Sequence, residues 1–155
     1  MPGTATVRIG DREWQVSVAS TPSELAAGLG GVESMAPGTG MLFDLGYERT
    51  VQVTTEPMLF PIDIIFISED LVVLDVTREV TPGNIVTEDM PARYFLEVNA
   101  GEAGWLQPGD AVVIEYDETP VTSWLDGVAG ILGLVGVGSL MIGLTRQLSK
   151  NGDSD

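Results

Sequence analysis

Asp63 is the acid whose setting stands out. It follows Pro61-Ile62 and opens IDIIFI, an apolar, β-branched run. A carboxylate there is expected to be partly buried, with its proton affinity perturbed. Two roles are open to it: binding a ligand, or closing a turn by accepting backbone N–H bonds, which is the default. Met35, Met41, Met58 and Met90 offer thioethers that suit copper(I), but methionine is also a common core filler. The chain has no histidine and no cysteine, so no thiolate or imidazole can complete such a set. Core filling is therefore the expectation, with no metal and no cofactor. Asp63, Met58 and Met41 are kept as candidate ligand-binding residues.

The same two absences exclude Ser-His-Asp and Cys-His catalysis and remove the commonest base near neutral pH. Paired carboxylates for glycoside hydrolysis have no local motif, since only their spatial separation defines them. Gly30-Gly31 and the glycines at 38 and 40 lack the lysine of a phosphate loop. No catalytic residue is assigned, and the balance is against an enzyme.

The 155 residues include 23 acids and 7 bases, for a net charge of −16. Such a surface repels nucleic acid phosphates, whose binding rests on lysine and arginine. The acids are dispersed and show no calcium-loop spacing, which favours a solvated surface adapted to high salt over a cation site. Met1 to Ile9 does not have the form of a signal peptide, a basic start followed by an apolar run.

Elements that could position these residues follow from periodicity. Residues 4–9 and the alternating Trp14, Val16 and Val18 predict a hairpin across Gly10-Asp11. Thr21-Pro22-Ser23-Glu24 has the form of a capping box with proline in the first turn, so residues 23–29 should be a short helix stopped by Gly30-Gly31. Short strands are expected at 41–43 and 51–54. Residues 62–67 and 71–76 should form a second hairpin, and 94–98 and 111–116 further strands. Pro57 and Pro61 bracket a loop. Many short strands with one short helix predict a mainly β domain over residues 1–116, a compact β-barrel or β-sandwich.

After a linker at residues 117–126, residues 127–145 carry no charge. As a helix they would span about 28 Å, close to the hydrocarbon thickness of a bilayer. Trp124 suits one membrane interface, and Arg146 and Lys150 suit the other. Ala129 with Gly133, and Ser139 with Gly143, have small-xxx-small spacing, and Gly136 adds to the glycine stripe, so two helix backbones could pack closely. A single-pass anchor is expected, followed by a polar tail at 146–155. The alternative is a helix packed between protein copies. The two flanking bases favour a β-domain outside the membrane, while the lack of an export signal opposes this, so orientation stays open.

Residues 40–43 (GMLF), 57–67 (PMLFPIDIIFI) and 92–101 (ARYFLEVNAG), followed by Pro108-Gly109-Asp110, occur in an order that resembles the domain-of-unknown-function family numbered 192. Thr21 to Leu29 is similar to the family's Thr-Pro-x-Glu entry into a short helix. The resemblance covers about residues 13–116. It departs where the family often has an arginine, here Gly30-Gly31-Val32-Glu33, and where it often has Met-x-Asn, here Thr55-Glu56-Pro57. It implies a compact β-rich fold and no particular reaction.

Together these features predict a non-enzymatic, membrane-anchored β-domain acting as a binding or envelope module. Its partners would be a membrane or other protein copies through residues 127–145, with a homo-oligomer possible. The alternatives are a structural subunit of a large assembly such as a virion, and a carboxylate-dependent hydrolase.

Overall fold

A computed structural model describes residues 3–117. The chain forms β1 (Gly3–Ile9), β2 (Arg12–Ala19), α1 (Pro22–Ala27), β3 (Thr39–Thr54), β4 (Ile62–Ile67), β5 (Val73–Val80), β6 (Ile85–Asn99) and β7 (Val112–Tyr116). The seven strands make one sheet in the order β5-β4-β6-β3-β2-β1-β7. The mainly β character and the single short helix agree with the sequence. The barrel or sandwich needs correction, because the sheet is not closed. It curls until its edge strands approach, and they meet at one bridge, Val72 with Ala111. Val73 N–H to Asp110 O at 2.9 Å and Gly109 N–H to Val73 O at 2.8 Å reinforce that contact.

The β1–β2 hairpin forms as the alternation predicts, and β4 pairs with β5 as the apolar runs predict, although β5 is Val73–Val80 instead of residues 71–76, because Leu71 turns the chain with φ 58°. The β2–β3 pair is parallel, and a parallel pair needs a crossover. Here the crossover carries α1. Thr21 Oγ1 accepts the Glu24 N–H while the Glu24 carboxylate accepts the Thr21 N–H, completing the predicted capping box. The helix ends at Ala27, before the expected Leu29, because Gly28 turns the chain with φ 47°.

The expected strands at 41–43 and 51–54 are parts of one long strand, β3, and its partner β6 starts at Ile85 instead of residue 94. Register shifts near Asp44, Arg49 and Val51 absorb the polar residues and Gly46 that read as a break. Pro91 falls between the paired residues Glu88 and Ala92, in an irregular stretch where a missing N–H is tolerated.

The sheet separates two apolar clusters. The inner one takes side chains from all seven strands, with Trp14, Leu42, Ile65, Leu96 and Val98 among them. The outer one includes Leu29, Phe43, Met58, Ile64, Phe66 and Phe95. Strand β4 lies between β5 and β6 and is buried at all six positions. Covering on both faces explains its nearly continuous apolar sequence.

Candidate functional site

Glu97 lies within the apolar half of β6, opposite Met41 of β3 and Ile64 of β4. Residues facing each other across a ladder share a face, so Glu97 belongs to the outer side, with Phe95 two residues before it. It is only 4% exposed. Among the described residues, no group donates a hydrogen bond to its carboxyl. Burial alone pushes that carboxyl from 4.5 up to about 8, because the charged form loses its hydration without gaining a partner.

The carboxyl faces a cleft of about 160 Å³. The end of α1 and the following turn form one wall, from Leu25 to Gly30, and the Thr54 end of β3 with Pro57 and Met58 forms another. Phe43 and Phe95 line it, stacked with centroids 4.2 Å apart and planes at 9°. Two glycines let the wall close on its neighbours. A Cβ on Gly28 would stand 3.3 Å from the Phe43 ring, and one on Gly30 would stand 3.2 Å from Pro57. The Gly31 N–H then ties the turn to Pro57 O at 3.0 Å. Asn99 Nδ2, one step beyond Glu97 on its face, donates to Met35 O at 3.0 Å and pins the chain leading into β3.

The sequence-based candidates divide between the two faces. Met58 is buried in the outer cluster and lines the cleft; Met41 packs against the same cluster, half-buried. Met90 is 46% exposed and lies outside both clusters, so the four methionines do not gather. Asp63 stands opposite Val98, an inner-cluster residue, and so shares no site with Met41 or Met58. It is fully buried. Its Oδ1 accepts the Glu79 N–H at 2.8 Å, and its Oδ2 accepts those of Gly101 and Ala103, each at 2.9 Å. This is the turn-closing role, extended to two segments of the chain. Among the described residues, no cluster of three or more acids is placed to hold a metal ion. Trp124, Ala129, Gly133, Gly136, Ser139 and Gly143 lie outside the described residues.

Glu97 itself was not singled out by sequence reasoning. The available signal was an acid set in YFLEV, where alternation alone would assign it to solvent.

The model of the domain-of-unknown-function family 192, described as an uncharacterized ACR family, matches residues 5–114. The chain belongs to the DUF192 family. Among solved structures, a Sinorhizobium meliloti 1021 protein described as a candidate transcription regulator is 30% identical, with a TM-score of 0.70. That match covers 73% of this chain and 95% of the other. A protein of unknown function from Novosphingobium aromaticivorans DSM 12444 is 26% identical, with a TM-score of 0.65, over 71% of this chain and 83% of the other. None of the curated proteins compared with the chain matches it. Where DUF192 members often have Met-x-Asn, Thr55 is fully buried here. Its Oγ1 donates to Thr81 O at 2.8 Å and accepts the Asn84 N–H at 3.0 Å, which secures the loop beside the cleft. Among the described residues, no helix is long and apolar enough to cross a membrane.

Proposed function

We propose that this DUF192 domain is a non-enzymatic binding module whose site is the Glu97 cleft. One observation carries the reading: the carboxyl of Glu97, a residue only 4% exposed, has no protein hydrogen-bond partner and opens on a mainly apolar hollow. No side-chain nitrogen or oxygen among the described residues is both fully buried and unpaired, so the Glu97 carboxyl reaches the cleft, where a ligand can take the place of water. Acid–base or nucleophilic catalysis needs a second group able to exchange protons or attack, converging on the reacting atoms with the first; besides Glu97 the polar side chains lining the cleft are Gln52 and Thr54. Glu97 is the one ionisable side chain lining this cleft.

The uncharged segment 127–145 completes the proposal as a tether, inserted in a membrane or packed between protein copies of an envelope or virion-like assembly. The regulator description of the Sinorhizobium relative is not carried over, because a net charge of −16 opposes nucleic acid binding. Two measurements on the full-length chain test the proposal. In a fragment screen read by methionine methyl NMR, hits should move Met58 and leave Met90 in place. Hits that map away from Met58 would refute the site. Co-sedimentation with lipid vesicles should depend on residues 127–145, and lipid-independent large oligomers would replace the anchor with the assembly.

A further inference from the structure

We propose that the Glu97 cleft takes a small organic amine, its ammonium against the Glu97 carboxylate and its apolar body along Phe43, Phe95 and Met58. The inference rests on the binding role above and adds the chemical class.

The sign of the ligand follows from what the cleft lacks and what it holds. Its lining contains one acid and no base. Apart from that of Leu29, the backbone N–H groups from Gly28 to Val32 are already used. Those of Gly28, Gly30, Gly31 and Val32 donate to Glu24 O, Ala27 O, Pro57 O and Leu29 O. The flanking strands present Met41 and Ile64 to Glu97, and the remaining walls bring no other titratable group. Arg49 belongs to a neighbouring hollow, where its guanidinium sits over the Tyr47 ring at 5.4 Å. An anionic ligand therefore meets a carboxyl that repels it once ionised, with no cationic side chain in the lining to balance the charge. A cation meets a carboxylate beside an apolar wall, within the field of a strongly acidic protein.

A neutral ligand has weaker support. It would leave the buried acid protonated and gain one ordinary hydrogen bond. An ammonium makes a charge-assisted bond and removes the reason for the acid to stay neutral. Because burial holds Glu97 protonated up to about pH 8, an ammonium that binds at pH 7 must displace that proton to solvent.

The experiment compares n-butylamine, 1-butanol and butyrate, three four-carbon bodies with different heads, on the full-length chain at pH 7 and pH 9. Met58 methyl shifts locate binding and titration calorimetry measures it. At pH 9, where Glu97 is already ionised, butylamine should bind about ten-fold more tightly than butanol, the ratio separating charged from neutral hydrogen bonds, and butyrate should leave Met58 unmoved; at pH 7 the displaced proton should reduce the butylamine advantage by about ten-fold. At pH 7 the butylamine enthalpy should differ between phosphate and Tris buffers, since a proton is released on binding. Glu97→Gln should reduce butylamine to the level of butanol. If at pH 9 butanol or butyrate moves Met58 and binds as tightly as butylamine, or if Glu97→Gln binds butylamine undiminished, the amine assignment fails while the binding site stands. If none of the three moves Met58, both fall.

Discussion

The amide of Glu79 donates to Asp63 Oδ1 at 2.8 Å, and Glu79 itself adopts φ 52°. The β4–β5 register shifts at this point, where Asp63 faces the two residues Arg78 and Glu79. A left-handed backbone at a non-glycine residue costs on the order of 1 kcal/mol. The buried carboxylate offsets it by accepting the N–H that the bulge leaves without a ladder partner, while its other oxygen holds the β6–β7 loop. Asp63→Ala removes the acceptor of three backbone donors. With each stranded donor costing about 1–3 kcal/mol, urea unfolding should show a loss of at least about 3 kcal/mol. Asp63→Asn, which keeps one oxygen, should lose less. A loss below about 1 kcal/mol in the alanine variant would mean that water replaces the carboxylate without penalty.

Glu97 makes stability depend on pH in a definite direction. Below its ordinary 4.5, folded and unfolded chains are both protonated. Between 4.5 and about 8 the folded chain keeps a proton that the unfolded chain has released. Stability therefore falls as pH rises through this window, by up to about 5 kcal/mol in total, and levels off above it. Glu24 acts at lower pH and in the opposite sense, since the Ser20 and Thr21 N–H groups hold its carboxyl below the usual range. Glu97→Gln should flatten the decline between pH 5 and 8 and raise stability at pH 8.5. Parallel urea titrations across that range would reveal a variant that keeps the slope, which would assign it to another group.

Two glycines should respond unequally to a single methyl. At Gly40, paired with Val98 in β6, a Cβ would stand 2.5 Å from the Glu97 carbonyl oxygen, a backbone atom that cannot swing aside. At Gly28 it would stand 3.3 Å from the Phe43 ring, a side chain that has some room to adjust, although φ 47° adds strain. Gly40→Ala should cost about 3 kcal/mol or more and Gly28→Ala about 1–2 kcal/mol. Thermal melts of both variants would rank them, and the reverse order would contradict the close approach of β3 and β6.

Thr21→Ala removes the side-chain half of the capping box. A lost cap costs about 1 kcal/mol, and α1 is only six residues long. Amide exchange should quicken at Gly28, whose N–H closes the helix on Glu24 O at 2.9 Å, with little change in β4. Equal quickening in β4 would mean that the helix and the sheet open as one unit.

Local rules were legible wherever local physics decides. Trp14, Val16 and Val18 alternate because one face of β2 is buried. Thr21 and Glu24 cap α1 through bonds spanning three residues. Gly10 turns the first hairpin with φ 62°. The joining of 41–43 and 51–54 into one strand was not legible, because the bulges that permit it exist only against β6.

By itself, the sequence determined the mainly β class, both hairpins, the capped helix, the lack of histidine and cysteine chemistry, and the depth to which IDIIFI must be buried. These follow from the period of apolar side chains, local hydrogen bonds and composition. Only the tertiary structure decided that the curled sheet leaves its ladder open, that Asp63 and Met58 occupy opposite faces, and that Glu97 is enclosed. An acid in a strand normally points to solvent; it is buried here because α1 and the loop at Pro57 fold back over the outer face, and the pairing of distant segments sets that contact.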